Sequence, residues 1–217
     1  FDFLLFCQRN PRPCPLLEVL EPGMAEPSIA LGADIRMDIP RYRIYRDGVL
    51  DREVEGITDV WQDDLVTFLL GCSFTFESAL MAAGIRLRHV DEGSNVSMYV
   101  TNIATVRAGM FSGPLVVSMR PIPQTSVVKA VQVTSRFPNA HGAPMHIGKP
   151  EAIGVGDLGK TDYGDATAVL KDEVPVFWAC GVTPQAVAAA SKPPLMITHA
   201  PGHMFITDLR DEDLAVL

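Results

Sequence analysis

The chain has 217 residues, which is enough for one large domain or two small ones. Hydrophobic residues make up 47% and charged residues 20%, which excludes an intrinsically disordered chain, because such chains lack apolar residues. With 18 basic against 26 acidic residues the net charge is −8. We expect no nucleic-acid partner, since binding to the phosphate backbone depends on clustered Lys and Arg.

The ends of the chain and its cysteines bear on location. No apolar run approaches the roughly 20 residues of a membrane helix, so we expect no membrane partner. The chain opens on Phe1, with no Met and no basic stretch, so we expect a segment to precede it rather than a signal peptide. The 4 cysteines form no C-x-x-C pair, which favours a reducing cytoplasm.

The first elements follow from proline and turn signals. Residues 1–10 are predicted as a helix that prolines stop, and residues 16–20 as a strand. The clearest local pattern is the alternation of residue types on both sides of Asp47-Gly48. This pair is typical of a two-residue type I′ turn, so it predicts a β-hairpin.

The next stretch is predicted as two helices and a strand. Residues 63–70 and 75–83 have helical patterns, each followed by a glycine in the position that commonly ends a helix. Residues 85–90 are predicted as the strand that follows.

The middle of the chain is predicted to be richer in β-structure. Apolar residues alternate around residues 96–100, and residues 114–120 form a second apolar strand pattern. Residues 126–136 are predicted as a helix. We therefore expect a β-rich insert that contains one helix.

The C-terminal part predicts a β-α-β unit. Residues 174–179 and 195–198 are nearly continuous apolar runs, and a short helix over 185–191 lies between them behind Thr183-Pro184. Buried strands joined by a helix favour parallel pairing. The predicted fold class is therefore α/β, with a mainly parallel sheet.

Polar residues follow both strands of this unit. Cys180, Gly181 and Thr183 open the helix, whose first N–H groups and positive dipole end suit a carboxylate. His199, Gly202 and His203 follow the second strand. Because ligands bind beyond the carboxyl ends of parallel strands, this pattern predicts one cleft that contains both groups.

Each candidate has a structural alternative. His199 and His203 could handle protons, ligate a metal or only shape their loop. Pro201-Gly202 between them forbids a helical metal-binding pair, and no H-E-x-x-H motif is present. His141 and His146 lie in a similar Gly/Pro-rich setting, where structure and function are equally well supported.

The remaining candidates are two thiols and two charged residues. Cys72 and Cys180 are candidates because a helix start lowers a thiol pKa, although buried cysteines are usually small apolar residues. Glu77 could be a catalyst or could only complement a helix dipole. Arg120 closes an apolar strand and could hold a substrate carboxylate or mark the end of the strand.

Two segments of the chain are also similar to each other in sequence. Cys72, Thr75 and Glu77 match Cys180, Thr183 and Gln185 at an offset of 108 residues. A second short match leads to His89 and His199. An internal duplication would explain these matches, but they are few, and coincidence among common helix-start residues is the favoured explanation.

Five strings resemble one known family. They are FLLGCSF at 68–74, GPLVVSMRP at 113–121, HGAPMHIG at 141–148, FWACGVTPQ at 177–185 and THAPGHMF at 198–205. In this order they resemble the bacterial hydro-lyase family related to D-glutamate cyclase. The resemblance covers essentially the whole chain.

The resemblance implies a fold and an activity. The implied fold is a three-layer αβα sandwich of residues 1–96 and 165–217, with a smaller two-layer α+β portion inserted at residues 97–164. The implied activity is that of a lyase, the interconversion of D-glutamate with 5-oxo-D-proline and water, and no cofactor is implied. We expect a small carboxylate substrate and a homodimer.

The site expected from these patterns has two groups of residues. His199, His203, Cys180 and Glu77 are the candidate catalytic residues. The candidate substrate-binding residues are Arg120, Thr183, Gly181, Gly202, Cys72 and His146. Two other functions remain open: a metal-dependent hydratase that uses both histidines with Asp208 or Glu77, and a carboxylate-binding protein without catalysis.

Overall fold

The computed structural model describes residues 1–216, which form five α-helices, five short 3-10 helices and nine strands. The α-helices are α1 (Asp2–Arg9), α2 (Glu77–Ala82), α3 (Arg88–Glu92), α4 (Val127–Thr134) and α5 (Thr183–Ser191). The strands are β1 (Leu16–Leu20), β2 (Tyr42–Arg46), β3 (Val49–Val54), β4 (Thr67–Leu70), β5 (Ser97–Ala104), β6 (Pro114–Pro123), β7 (His146–Ile147), β8 (Glu173–Ala179) and β9 (Leu195–His199). The α/β class is confirmed.

The strands form three sheets, and the predicted parallel sheet is wrong. The sheets have the orders β1-β4, β3-β2-β9 and β5-β6-β8-β7, and every pairing between these strands is antiparallel. β8 and β9, predicted as parallel neighbours, lie in different sheets, so α5 crosses between sheets. An apolar run shows that a strand is covered on both faces, but it does not show the direction of its neighbours.

The largest sheet separates two apolar clusters. Val176 and Trp178 of β8 face a cluster with α2 and α4, whereas Phe177 and Ala179 face a cluster with β5 and β6. This alternation follows from the period of two in a strand. Strands β5 and β6 come from the predicted insert but share a sheet with β8. The domain boundaries and the internal duplication stay predictions.

Two local predictions are wrong. Residues 63–70 contain β4 instead of a helix, because the backbone of residues 67–70 pairs with that of the distant β1. Residues 85–90 hold the start of α3 instead of a strand. Ile85 and Leu87 are buried there as loop residues, and Gly93 ends α3 in the left-handed conformation that favours glycine.

Other elements match their predictions. The Asp47-Gly48 turn joins β2 to β3, and both residues have positive φ, as a type I′ turn requires. β6, β8, β9, α4 and α5 all lie where the sequence predicts them. Within residues 1–216, no helix is both long enough and apolar enough to cross a membrane.

Candidate functional site

A buried ion pair lies where α2 packs against β6. Arg120 is fully buried, and its Nε donates to Oε1 of Glu77 at 2.8 Å, with Nη2 bonded to the same oxygen at 2.5 Å. Its other bonds reach the hydroxyls of Ser118 and Ser73, each at 3.1 Å. The carboxylate that Arg120 binds in the structure is therefore that of Glu77.

The surroundings of this pair are partly aromatic and partly polar. The guanidinium of Arg120 lies 5.1 Å from the ring of Phe76 and 5.5 Å from that of Trp178. Glu77 Oε1 also lies 3.0 Å from Nε2 of His89. Burial alone would raise the pKa of Glu77, but Arg120 and His89 more than offset this and hold the pKa below its usual range. Glu77 is thus a paired carboxylate and a poor proton donor.

Two cysteines lie at neighbouring helix starts. Cys72 is half-buried before the turn that leads into α2, and Cys180 is buried three residues before the first residue of α5. Burial raises the pKa of both thiols, that of Cys180 to about 12. Both side chains are therefore thiols at neutral pH, and this arrangement does not provide a thiolate nucleophile.

Thr183 holds the start of α5 in place. Its hydroxyl is fully buried, accepts a bond from the backbone N–H of Val116 at 3.2 Å and donates to the carbonyl of Cys180 at 2.7 Å. Both hydrogen bonds lie inside the core and connect the start of α5 to β6. The contacts of Thr183 are therefore structural.

His141 lies beside these helix starts. The sequence supports a structural role and a functional role for this residue equally well. It is 1% exposed, and its Nδ1 lies 2.6 Å from the carbonyl oxygen of Arg12. A carbonyl can only accept, so Nδ1 carries the proton and Nε2 carries the lone pair. Burial lowers the pKa of His141 to about 4, which keeps the ring neutral at neutral pH.

Near this cluster is an open cleft of about 440 Å³. The cleft lies between β2, the loop at residues 161–165 and the loop after β9. Its lining contains arginines, carboxylates and one imidazole: Arg41, Arg43, Glu53, Asn95, Thr161, Asp162, Tyr163, Gly164, Asp165, Ala200, Pro201 and His203. Charges of both signs therefore face one space.

The positive side of the open cleft comes from β2 and the residue before it. Arg43 is held by Glu53 at 2.7 Å and by Oε1 of Gln185 at 3.2 Å. Arg41 has an exposed side chain whose ion-pair partner, Glu55, is 3.8 Å away. Arg41 is therefore the cation that can most readily bind a carboxylate. The spacing of two in a predicted strand could have placed both arginines on one face.

The two predicted histidines have different surroundings. His203 is exposed in the open cleft, and its Nδ1 lies 3.0 Å from the carbonyl of Pro201. His199 ends β9, and its Nδ1 lies 2.7 Å from the carbonyl of Ala200. Burial lowers the pKa of His199. Only His203 lines the open cleft.

Two predicted residues remain, Gly202 beside the open cleft and His146 away from it. Gly202 has positive φ, and a side chain there would come within 3.2 Å of Asn95, so glycine allows the loop to approach that wall of the open cleft. His146 lies in β7, where its Nε2 is 2.7 Å from the carbonyl of Lys149 and its ring packs near Phe177.

The structure thus brings the predicted residues together in two places. Glu77, Arg120, Cys72, Cys180 and Gly181 lie around the helix starts, whereas His203 and Gly202 lie at the open cleft. Cys180 belongs to an apolar cluster against which Tyr163 packs, and Tyr163 lines the open cleft, so the two places adjoin. Across residues 1–216, no three His, Cys, Asp or Glu side chains are placed to hold a metal. The metal-dependent alternative stays a prediction.

Comparison with known proteins gives one family. A family model described as D-glutamate cyclase matches residues 66–208. A relative from Stutzerimonas stutzeri is 64% identical over the whole chain and 82% of its own length. Relatives from Geobacillus kaustophilus and Bacillus subtilis are each 65% identical, over 83% and 85% of their lengths. All three are named as putative hydro-lyases.

Proposed function

This chain belongs to the D-glutamate cyclase family, and we propose that it interconverts D-glutamate with 5-oxo-D-proline and water in the open cleft. The observation that carries the proposal is that cationic and anionic side chains line the open cleft together with His203. An amino dicarboxylate carries both an ammonium and carboxylates, so it needs both kinds of side chain.

The charges match the parts of this substrate. Arg41 is exposed and weakly paired, so it can bind a carboxylate. Asp162 and Asp165 each use one carboxylate oxygen to hold a backbone N–H, of Val100 and Asn95, both at 2.8 Å. The second oxygen of each carboxylate can accept a bond from the substrate ammonium.

The reaction requires proton transfer at one nitrogen and one oxygen. In cyclisation the amine attacks the γ-carboxyl carbon, a C–N bond forms and a C–O bond breaks. Two of the three ammonium protons end on the departing oxygen, which leaves as water. One imidazole can carry these protons in turn.

His203 fits this role by its tautomer. Because Nδ1 faces the carbonyl of Pro201, it carries the proton, and the lone pair lies on Nε2. His203 lines the open cleft, and the volume of about 440 Å³ is sufficient for a small substrate. His203 therefore serves as the proton carrier in both directions.

Replacing His203 with glutamine is expected to lower kcat for 5-oxo-D-proline hydrolysis about a hundredfold, in line with the loss of a general acid–base. KM should change little, because the charged residues remain. Steady-state kinetics with circular dichroism as the folding control checks this. Wild-type kcat in the variant, or substrate binding without turnover in the unaltered chain, contradicts the proposal.

Replacing Arg41 with glutamine is expected to raise KM about tenfold, because one charge-assisted hydrogen bond to a carboxylate is lost. The change in kcat should be smaller, since the proton carrier is intact. Arg52→Gln is the matched control, because Arg52 lies on β3 and pairs with Asp51 and Asp59 outside the open cleft. Equal KM values for the two variants would remove Arg41 from the site.

A further inference from the structure

Gln185 forms hydrogen bonds to β2, which lines the open cleft, and to β9, which leads into it. Its side chain lies in the first turn of α5, and the residue is only 4% exposed. Its Oε1 accepts bonds from Nη1 of Arg43 at 3.2 Å and from the hydroxyl of Tyr45 at 3.3 Å. Its Nε2 donates to the carbonyl of His199 at 3.0 Å. One buried side chain therefore connects α5 to both strands.

These neighbours fix the orientation of the Gln185 amide. Arg43 can only donate, and burial raises the pKa of Tyr45, so its hydroxyl keeps the proton that it donates. The carbonyl of His199 can only accept. The amide oxygen must therefore face β2, and the amide NH2 group must face β9.

The bond to His199 holds one side of a peptide group at the end of β9. The other side of this peptide is the N–H of Ala200, which donates to the carbonyl of Arg41 at 2.8 Å. Gln185 and Arg41 thus hold the peptide between His199 and Ala200 from both sides. A rotation of this peptide would break both bonds.

A tight turn connects this peptide to His203. The backbone N–H of His203 donates to the carbonyl of Ala200 at 3.0 Å. Pro201 is the second residue of the turn, and Gly202, the third, has a φ of 80°. This is the pattern of a type II β-turn, in which proline and glycine suit the required backbone angles. The position of His203 is therefore set by the peptide that Gln185 holds.

We propose that Gln185 is a positioning residue, which holds the end of β9 so that the imidazole of His203 faces the open cleft. Gln185 is buried and does not line the open cleft, so it acts through the turn and not by touching the substrate. The effect on turnover rests on the proposed function, whereas the support of the turn does not. A displacement of about 1 Å in a catalytic group can lower a rate about a hundredfold.

Gln185→Glu tests this role. Glutamate keeps the acceptor that faces β2, so the fold should persist, but it places an oxygen against the carbonyl of His199 in place of a donor. We expect kcat for hydrolysis of 5-oxo-D-proline to fall about tenfold, and KM to change less than about threefold because Arg41 is unaltered. Gln132→Glu is the control, since it adds the same charge at an exposed position of α4 outside the open cleft.

A second variant separates the lost bond from the added charge. Gln185→Met has a side chain of similar length with neither a donor nor a charge, and its kcat should fall at least as far. Circular dichroism and thermal unfolding identify the variants that are folded. Wild-type kcat in either folded variant of Gln185 overturns the positioning role.

A double variant tests whether the effect passes through His203. In a chain that already carries His203→Gln, the change Gln185→Glu should lower kcat by less than about twofold, because the group that Gln185 positions is gone. A further loss of about tenfold in this chain would overturn the proposal, since the two effects would then be independent.

Hydrogen exchange separates this proposal from the proposed function. The amide proton of His203 should exchange with solvent about tenfold faster in Gln185→Glu than in the unaltered chain, because the turn loses its support. Equal exchange rates overturn the positioning role, whether or not the chain is active. If the unaltered chain has no turnover, the proposed function fails, and faster exchange in the variant still supports the role of Gln185 in holding the turn.

Discussion

Replacing Glu77 with glutamine is expected to lower the free energy of unfolding by about 3–5 kcal/mol, which is typical of breaking a buried ion pair. Arg120 is fully buried, and Glu77 is the anion that binds it. Glutamine has nearly the same shape but no charge, so the guanidinium would stay buried without its counter-ion. Urea unfolding followed by circular dichroism measures the change.

A double variant provides the control for this prediction. Removing both charges in Glu77→Gln with Arg120→Met should restore much of the lost stability, because methionine can fill the space between Phe76 and Trp178. A double variant that is less stable than Glu77→Gln alone would show that the ion pair is not what holds this region.

Acid is expected to destabilise the fold through His141 by about 3 kcal/mol, since its pKa lies near 4 in the folded chain against an ordinary 6.5. Between these values the unfolded chain binds the extra proton and the folded chain does not. Stability therefore falls as the pH drops from 6.5 to 4, and above 6.5 this contribution disappears. Urea unfolding at several pH values gives the profile.

His141→Asn isolates the effect of this ring from that of the carboxylates. Asparagine tolerates the positive φ of 75° at this position better than most residues. We expect a flatter stability profile between pH 6.5 and 4 in the variant. Equal slopes in both chains would mean that the buried ring is protonated as readily as a ring in water.

The candidate site was only partly predictable from the sequence. The residues at both helix starts and at the loop after β9 could be named because glycine, proline and helix-start patterns are local. The residues that contact them could not be predicted from the sequence. Glu77 meets Arg120 across 43 residues, and His141 meets Arg12 across 129 residues, so neither contact leaves a pattern in any short window.

The residues of the open cleft were likewise only partly predictable from the sequence. His203 was a candidate from its loop, whereas Arg41 and Asp162 were not, because nothing local connects β2 to the loop at residues 161–165. Pairing of β2 with β9 joins that strand to the element that carries His203. The charge balance of the site therefore became visible only in three dimensions.

By itself, the sequence determined the α/β class, the Asp47-Gly48 hairpin, the strands β6, β8 and β9, and the family, because turn residues, apolar periodicity and long shared strings are properties of the chain. The tertiary structure alone decided strand direction and the sheet to which each strand belongs. The reason is physical: an apolar strand gains nearly the same burial beside a parallel or an antiparallel neighbour, so its composition does not distinguish them. Distant pairing made that choice and with it the geometry of the site.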